Sequence, residues 1–365
     1  MLSNDQPSTN LNEKQLKQQA KDLLKALRLG TDSASQRIQD HMSQYTHLSL
    51  AEISDLPLQL SDAQYVIARE KGFKSWPKLK AYLDAQSKES NRPAIRAEEV
   101  EAASKLKALG AHFVVSPDGF LSSLSFSGRH CSDVDLALVK ALPRLQSLGI
   151  SSTSMTDQGM SHLQTLAQLE KLYIAKTAIS DPGLKEIGRL MQLKQLVLGR
   201  TKISDTGLHH LSKMNALQLL ALNNTQISDT GLLTIQKLPN LATLYLNKTQ
   251  VTDQGLLSLK KLEQLEDLGL FGLPITNAGL ETLTNLPKLK SLGLGQTKVS
   301  DQGLKHLLKL KDLQGLDLSF TQITDEGLQH LRAMPNLRSV FLYSTKISKE
   351  GVKSLRSIAG LKVRS

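Results

Sequence analysis

The side chains that could do chemistry are histidines, aspartates and one cysteine, and several recur at regular spacing. Imidazoles and carboxylates in rows are the groups that hold zinc or act as general acids and bases. Cys131 is the single cysteine of the chain, which excludes an intrachain disulfide and a cage of several thiolates. Four histidines lie multiples of 24 residues apart: His162, His210, His306 and His330.

This spacing belongs to a 24-residue repeat that covers the last two thirds of the chain. Asp135 replaces the repeat's glycine in a more divergent first copy, so that about ten repeats run from 121 to about 360. Internal repetition at this period predicts a solenoid, in which each unit packs on its neighbours. In the other copies the glycines are Gly159, Gly183, Gly207, Gly231, Gly255, Gly279, Gly303, Gly327 and Gly351.

Each copy combines the hydrophobic patterns of a short strand and a short helix. In one typical copy, Leu196 and Leu198 alternate with other residues, as in a strand that buries one face. Leu208 and Leu211 follow three residues apart, as in a helix that buries one side. Elements this short cannot fold alone, so we predict an α/β fold in which stacked repeats share one core.

The copies read Leu-x-x-Leu-x-Leu-x-x-Thr-x-Ile-Ser/Thr-Asp-x-Gly-Leu, and at these positions the chain resembles the leucine-rich repeat family. The Thr-x-Ile-Thr-Asp-x-Gly-Leu segment is similar to that of the 24-residue bacterial type. The resemblance covers 121–365 and implies a horseshoe-shaped solenoid with parallel strands on the concave side and helices outside. It also implies a function in protein–protein interaction on the concave sheet, without enzymatic activity.

The repeated polar residues have structural explanations. A serine or threonine three residues before each glycine position is expected to cap a helix, and the aspartate that follows lies near the positive end of the helix dipole. Threonines after the strands are expected to bond backbone groups, except at Leu273, where Pro274 follows. Cys131 takes an apolar core position. The histidines fall on the outer helices, so we expect surface residues and no metal.

The first 120 residues lie outside the repeat. Residues 93–120 combine a helical pattern with short apolar strands, and we expect them to cap the repeat domain at 121–365. Residues 1–92 are expected to form a small all-α module with its linker. Its helices are expected over 16–29, 32–42, 62–71 and 76–85, and the polar linker over 86–96.

The segment 60–80 admits two interpretations. It resembles a small helical module that precedes ankyrin repeats in bacterial proteins, with Ser61 opening a helix through a capping box. Its spacing is also compatible with a helix–turn–helix that reads DNA. Lys71 and Lys78 stand where that motif needs apolar residues, and Pro77 lies early in the would-be recognition helix. We therefore favour the structural interpretation.

Alternation along the strands sends the residues between the consensus leucines to the concave face. Every aromatic residue after Phe126 maps to this face or to the adjoining strand end. In a chain with 4% aromatic residues, this concentration favours a contact surface, because aromatic side chains bury large areas at small entropic cost. The candidate partner-binding residues are Tyr173, Val197, Arg200, Leu219, Tyr245, Phe271, Phe320, Phe341 and Tyr343.

Composition bounds the remaining possibilities. The net charge of +11 favours an acidic partner, but many lysines fall on the helices rather than in one row that could follow phosphates. No run of 18 apolar residues is present, and the N-terminus lacks the pattern of a secretory signal. We therefore expect a cytoplasmic protein that binds a protein or peptide and needs no cofactor.

Two alternatives stay open. Nucleic-acid binding by the basic repeats or the N-terminal helices predicts an affinity that falls with salt, with a slope of about −0.9 per phosphate neutralised on duplex DNA. The second alternative is a secreted effector directed at a host, because related repeats occur in such proteins. Neither the partner nor the oligomeric state follows from a pattern in the chain.

Overall fold

The computed structural model describes residues 12–90, 94–126 and 131–365. The chain divides into two compact units, with the boundary between Arg92 and Pro93. The described part of the first unit is helical and has a hydrophobic core of its own. Its helices are α1 (Glu13–Arg28), α2 (Asp32–His41), α3 (Leu50–Ser54), α4 (Leu60–Glu70) and α5 (Trp76–Ser90), with a 3-10 turn at Ser43–Tyr45.

The start of α4 differs from the sequence-based expectation. The carboxylate of Asp62 accepts the backbone N–H of Gln59 at 2.8 Å, so Gln59 is the N-cap and the helix begins at Leu60. Ser61 lies inside the first turn, and its predicted role as the cap is wrong. The position of Asp62, three residues after Gln59, determines where the helix starts, because its carboxylate accepts a backbone N–H that has no partner within the helix.

Helix α5 is longer than expected. It continues to Ser90, so the first part of the segment predicted as a linker, 86–96, is helical; residues 91–93 lie outside the described ranges. The chain between Pro77 and Pro93 contains neither proline nor glycine, the two residues that most disfavour a helix interior. Within the described ranges, no helix combines the length and the apolar character needed to cross a membrane.

The second unit contains one twelve-stranded sheet in which the strand order follows the chain order. The first two strands are antiparallel, and each later strand pairs in parallel with the one before it. The strands are β1 (Ala111–Val115), β2 (Leu121–Phe126), β3 (Ser147–Gly149), β4 (Lys171–Tyr173), β5 (Gln195–Val197), β6 (Leu219–Ala221), β7 (Thr243–Tyr245), β8 (Asp267–Gly269), β9 (Ser291–Gly293), β10 (Gly315–Asp317), β11 (Ser339–Phe341) and β12 (Lys362–Arg364).

Short helical segments connect successive parallel strands, and α6 (Ala97–Ala108) precedes β1. Several are 3-10 helices, which suits apolar residues spaced by three. The α-helices are α7 (Asp133–Leu136), α8 (Asp181–Ile187), α9 (Asp205–Leu208), α10 (Asp229–Ile235), α11 (Asp253–Leu256), α12 (Asn277–Leu283), α13 (Asp301–Leu307), α14 (Leu328–Arg332) and α15 (Lys349–Arg356). The 3-10 helices are Ala137–Ala141, Asp157–Thr165, His209–Leu211, Leu257–Lys261 and Asp325–Gly327.

The core lies between the sheet and these helices. The middle residue of each three-residue strand points toward the helices; Leu172 and Leu244 have no exposed surface. Cys131 is buried in the same core, as expected, and burial raises the pKa of its thiol to about 12. The α/β solenoid expected from about ten repeats is confirmed, with one repeat for each strand from β2 to β11.

A row of carboxylates joins each repeat to the next. The Oδ1 atom of Asp229 accepts the N–H of Thr252 at 2.7 Å, and its Oδ2 accepts the Thr252 hydroxyl at 2.7 Å. Asn277 links to Ser300 at the same place: its Oδ1 accepts the N–H of Ser300 at 3.0 Å, and its amide nitrogen donates to the Ser300 hydroxyl oxygen at 2.9 Å. These side chains therefore bond the cap residue of the following repeat, a structural role that the repeat pattern alone does not reveal. The other links start at Asp133, Asp157, Asp181, Asp205, Asp253, Asp301 and Asp325.

A second row, of threonine hydroxyls, closes the turns after the strands. The Thr201 hydroxyl donates to the carbonyl oxygen of Leu198 at 2.6 Å. Leu273 interrupts the row, as expected, and is buried beside Gly272, whose φ is 72°. The same bond to the carbonyl three residues earlier is made by Thr153, Thr177, Thr225, Thr249, Thr297, Thr321 and Thr345.

Candidate partner-binding surface

The concave face is the side of the sheet opposite the helices. It consists of the first and third residues of strands β3–β12, of Ser123 and Ser125, which pair with the corresponding residues of β3, and of the second and third residues after each of the strands β3–β11. All nine candidate residues belong to it. The first residue of a strand is Leu219, and the last residues of strands are Tyr173, Val197, Tyr245 and Phe341. Two residues after a strand come Phe271 and Tyr343, and three residues after a strand come Arg200 and Phe320.

The structure separates these residues into two groups. The N-terminal patch, on β4–β6, comprises Tyr173, Val197, Arg200 and Leu219. Within this patch, the Tyr173 hydroxyl donates to Oε1 of Gln195 at 2.8 Å. The other five lie on or after β7–β11. Partners that use both groups must therefore extend across several strands, each about 4.8 Å from the next.

One row of the concave face has a left-handed backbone. The third residue after each of the strands β3–β11 has a φ between 53° and 72°. After β3–β10 this residue donates its N–H to a carbonyl of the next repeat, as Arg200 does to Asn223 at 2.8 Å. The left-handed turn thus extends the hydrogen-bonded ladder beyond the strands. Gly272 is the one glycine of this row; the others are Ser152, Lys176, Arg200, Asn224, Lys248, Gln296, Phe320 and Ser344.

A substitution of Lys176 tests how much the left-handed backbone of this row lowers the free energy of unfolding. Its φ is 57° and its side chain is exposed, so Lys176→Gly removes backbone strain at little loss of contact. We expect the free energy of unfolding to rise by about 0.5–1 kcal/mol. As the control, Lys171→Gly, within strand β4, should lower it by about 0.5–1 kcal/mol, because glycine there only adds freedom to the unfolded chain. Urea unfolding measures both, and equal effects would contradict the assignment of strain to this row.

Phe320 is the unusual member of the row. It holds a φ of 62°, a region that bulky residues rarely adopt, and 53% of its surface is exposed. Tyr343, whose carbonyl accepts the Phe320 N–H at 2.7 Å, is 43% exposed. Phe341 lies beside Tyr343, with 6.4 Å between the ring centroids. A backbone outlier that presents an aromatic ring to solvent is a feature typical of binding surfaces.

A pocket of about 310 Å³ opens on the concave face between β7 and β11. Its floor contains Gly293 and Gly315, which have no side chains to fill the space. Along the row of third strand residues, Tyr245, Gly269, Gly293, Asp317 and Phe341 are successive neighbours. The Tyr245 ring lies over Gly269, where an added Cβ would come within 2.9 Å of the ring. Gly293 thus remains as an open gap.

Aromatic and acidic side chains form the walls of this pocket. The Tyr245 hydroxyl donates to Oδ2 of Asp267 at 2.6 Å, and burial together with this bond raises the pKa of Tyr245 to about 12. Phe271 is held by its N–H, which donates to Oδ1 of Asn247 at 2.8 Å. Asp317 accepts the N–H of Ser319 through Oδ1 at 2.9 Å. The pocket therefore combines aromatic rings with two carboxylates.

Most of the lining residues are absent from the candidate set, among them Asp267, Gly293, Gly315 and Asp317. The chain contains a signal for the gap, because glycine occupies the third strand position in two consecutive repeats, at Gly269 and Gly293, where four other copies carry tyrosine, valine or phenylalanine. Alternation identifies which residues share a face, but the size of a gap depends on how the neighbouring rings lie.

The histidine row lies on the helical side, apart from the concave face. His210 is exposed, and His162, His306 and His330 are half-buried. In the part of the chain that the structure describes, no group of three or more His, Cys, Asp or Glu side chains could hold a metal ion.

One segment of the second unit matches a known protein family. Residues 309–331 match the family model of a leucine-rich repeat. They contain β10, the turn after it and most of α14, a unit whose geometry returns every 24 residues along the sheet. This segment of the chain is therefore a leucine-rich repeat, and the second unit has the fold of a leucine-rich-repeat solenoid. No curated protein matches the chain.

Among solved structures, two show a distant likeness to this chain. An internalin of Listeria monocytogenes is 21% identical with a TM-score of 0.43, over 74% of this chain and 94% of the internalin. A plant ice-binding protein is 16% identical with a TM-score of 0.45, over 69% of this chain and 88% of the other.

Proposed function

We propose that this leucine-rich repeat protein is a non-enzymatic interaction module that holds a protein or peptide partner on its concave face. Phe320 is the observation that carries the proposal. Its ring is more than half exposed, and its backbone stays in the left-handed region, where glycine or asparagine would cost less. The left-handed turn serves the hydrogen-bonded ladder, but folding does not need an exposed phenylalanine ring at this position. Contact between the ring and a partner accounts for the choice of residue.

The aromatic residues around Phe320 support the same interpretation. Tyr245, Phe271, Phe341 and Tyr343 lie on one face within five strands, and none belongs to the helical side. Tyrosine and phenylalanine supply large contact areas while only two side-chain torsions become ordered, which is why a few such residues dominate many interfaces. A partner segment that crosses β7–β11 would contact all of them.

The charge near the N-terminal patch suggests what else the partner carries. Lys171, Lys176 and Arg200 are exposed on the concave face of β4 and β5 or just after these strands. Acidic groups of a partner would be attracted there, and the attraction would weaken as salt increases. We propose a partner segment with acidic groups over this patch.

The proposed location is the cytoplasm. Cys131 is a free, buried cysteine, and a thiol whose pKa is near 12 stays protonated and unreactive at neutral pH. A reduced cysteine in the core fits a compartment that keeps thiols reduced.

Paired truncation of two aromatic residues tests the proposal. With the full chain as bait, we expect Tyr245→Ala/Phe341→Ala to lose partners that the unchanged protein captures. For a partner identified in this way, we expect the Kd to rise at least about thirty-fold, since one buried anchor is worth about 2 kcal/mol or more. Isothermal titration calorimetry measures the change, and far-UV circular dichroism checks that the variant is folded.

The matched control truncates two exposed apolar residues outside the concave face, Met191→Ala/Leu233→Ala. We expect this control to bind the partner like the unchanged protein. The concave face is not the binding surface if the partner binds both double variants equally well, or if only Met191→Ala/Leu233→Ala fails to bind the partner.

A further inference from the structure

We propose that the pocket floored by Gly293 takes a cationic side chain of the partner, and that arginine fits it best. This inference rests on the proposed function, because it names the group that the concave face selects. The pocket holds about 310 Å³, near the lower end of the range of about 300–1,000 Å³ that is usual for small-molecule sites. That volume suits one long side chain.

The charge of the pocket opposes that of the whole protein. The net charge of the chain is +11, yet the pocket is lined by Asp267 and Asp317 and, among the described residues, by no lysine, arginine or histidine. The two carboxylates lie on β8 and β10, the strands that flank β9 and its open Gly293. A group that rests on Gly293 is therefore between two negative charges.

Both carboxylates are oriented by the protein before any partner arrives. The Tyr245 hydroxyl donates to Oδ2 of Asp267, and the N–H of Ser319 donates to Oδ1 of Asp317. Each carboxylate has two oxygens and can accept several hydrogen bonds, so each retains capacity for a donor from the partner. Preoriented acceptors give stronger binding, because no side-chain ordering is needed on contact.

The aromatic walls favour a guanidinium over other cations. Phe271 and Phe341 line the pocket, and each ring already attracts a cation of the protein itself, with Lys248 Nζ 5.6 Å from one centroid and Arg364 Cζ 5.3 Å from the other. Neither of these two cations lines the pocket. A planar guanidinium stacks on such rings and donates several hydrogen bonds at once, whereas an ammonium is a strongly hydrated point charge.

The test uses capped single amino acids and the full chain. N-acetyl-arginine methylamide is the probe, and the neutral, isosteric citrulline analogue and the lysine analogue are its comparisons, with each Kd measured by ligand-observed NMR titration. We expect the citrulline analogue to bind at least about tenfold more weakly, because charge-assisted hydrogen bonds are about twice as strong as neutral ones. The lysine analogue should lie between the two. Equal binding of arginine and citrulline would overturn the proposal, and stronger binding of lysine would overturn the preference for arginine.

Two variants locate the binding. Asp267→Asn/Asp317→Asn keeps an oxygen that can accept each present hydrogen bond and removes both charges; we expect arginine to bind at least about tenfold more weakly. Gly293→Val fills the gap, and its Cβ would meet no atom closer than 3.7 Å, so the sheet has room for it. We expect it to abolish arginine binding. Ser125→Val is the control, since Ser125 is exposed in the same row on β2. Arginine binding that survives Gly293→Val would overturn the location.

The outcome separates this inference from the proposed function. If a captured partner binds Asp267→Asn/Asp317→Asn as tightly as the unchanged protein but loses affinity for Tyr245→Ala/Phe341→Ala, the inference fails and the proposed function holds. If arginine binds in the pocket but no partner depends on the concave face, the proposed function fails instead.

Discussion

Gly255→Ala is expected to lower the free energy of unfolding by about 3 kcal/mol, although alanine is normally the better helix former by about 1 kcal/mol. Gly255 lies in helix α11, and a Cβ on it would come within 3.0 Å of both Oδ1 and Cγ of Asp229 in the preceding repeat. The clash would displace the carboxylate that bonds Thr252. Loss of that link adds the cost of an unpaired N–H and hydroxyl.

Urea unfolding of a mutant cycle isolates this mechanism. Asp229→Ala should cost about 1–3 kcal/mol by itself, and the double variant Gly255→Ala/Asp229→Ala should cost clearly less than the sum of its parts, because the clash needs both groups. Asp229→Asn is the matched control and should cost little, since Asn277 makes the same link in its own repeat. Additive losses, or a gain in stability for Gly255→Ala, would show that the two residues do not compete for space.

Leu244→Ala should cost about 3–5 kcal/mol. Leu244 is the middle residue of β7, has no exposed surface and supports the strand that carries Tyr245. Truncation leaves a cavity that the neighbouring repeats can close only in part. The aspartate links between repeats and the threonine bonds within the turns hold the backbone of these repeats in place. Urea unfolding followed by circular dichroism measures the loss.

The control has the same chemistry at an exposed site. Leu233→Ala, on helix α10, removes a side chain that is 53% exposed and should change the stability by less than about 0.5 kcal/mol. If both leucine variants lost equal stability, burial in the shared core would not be the source of the effect.

Much of the solenoid follows from the chain because its rules are local and repeated. Alternation at Leu196 and Leu198 and the three-residue spacing of Leu208 and Leu211 suffice for a strand and a helix, and the 24-residue period stacks them. The threonine hydroxyls and the buried Cys131 follow from the same logic. These predictions are confirmed.

What the chain does not reveal depends on contacts between repeats. Asp229 bonds a residue 23 positions later, so a pattern within one repeat suggests only helix capping. Gly293 becomes part of a pocket because the Tyr245 ring lies over Gly269 and no ring lies over Gly293. In the N-terminal helices, Ser61 and Gln59 compete for the same cap, and the position of Asp62 decides between them. The role of the nine candidate residues in binding stays a prediction.

The left-handed row has a consequence for how this protein can change during evolution. Every residue there except Gly272 accepts the same unfavourable φ, and the hydrogen bond that holds the row uses the backbone alone. Exchange among serine, lysine, arginine, glutamine and phenylalanine therefore leaves the ladder intact. The row acts as a set of interchangeable positions, where new recognition can be acquired one residue at a time while the solenoid itself stays unchanged.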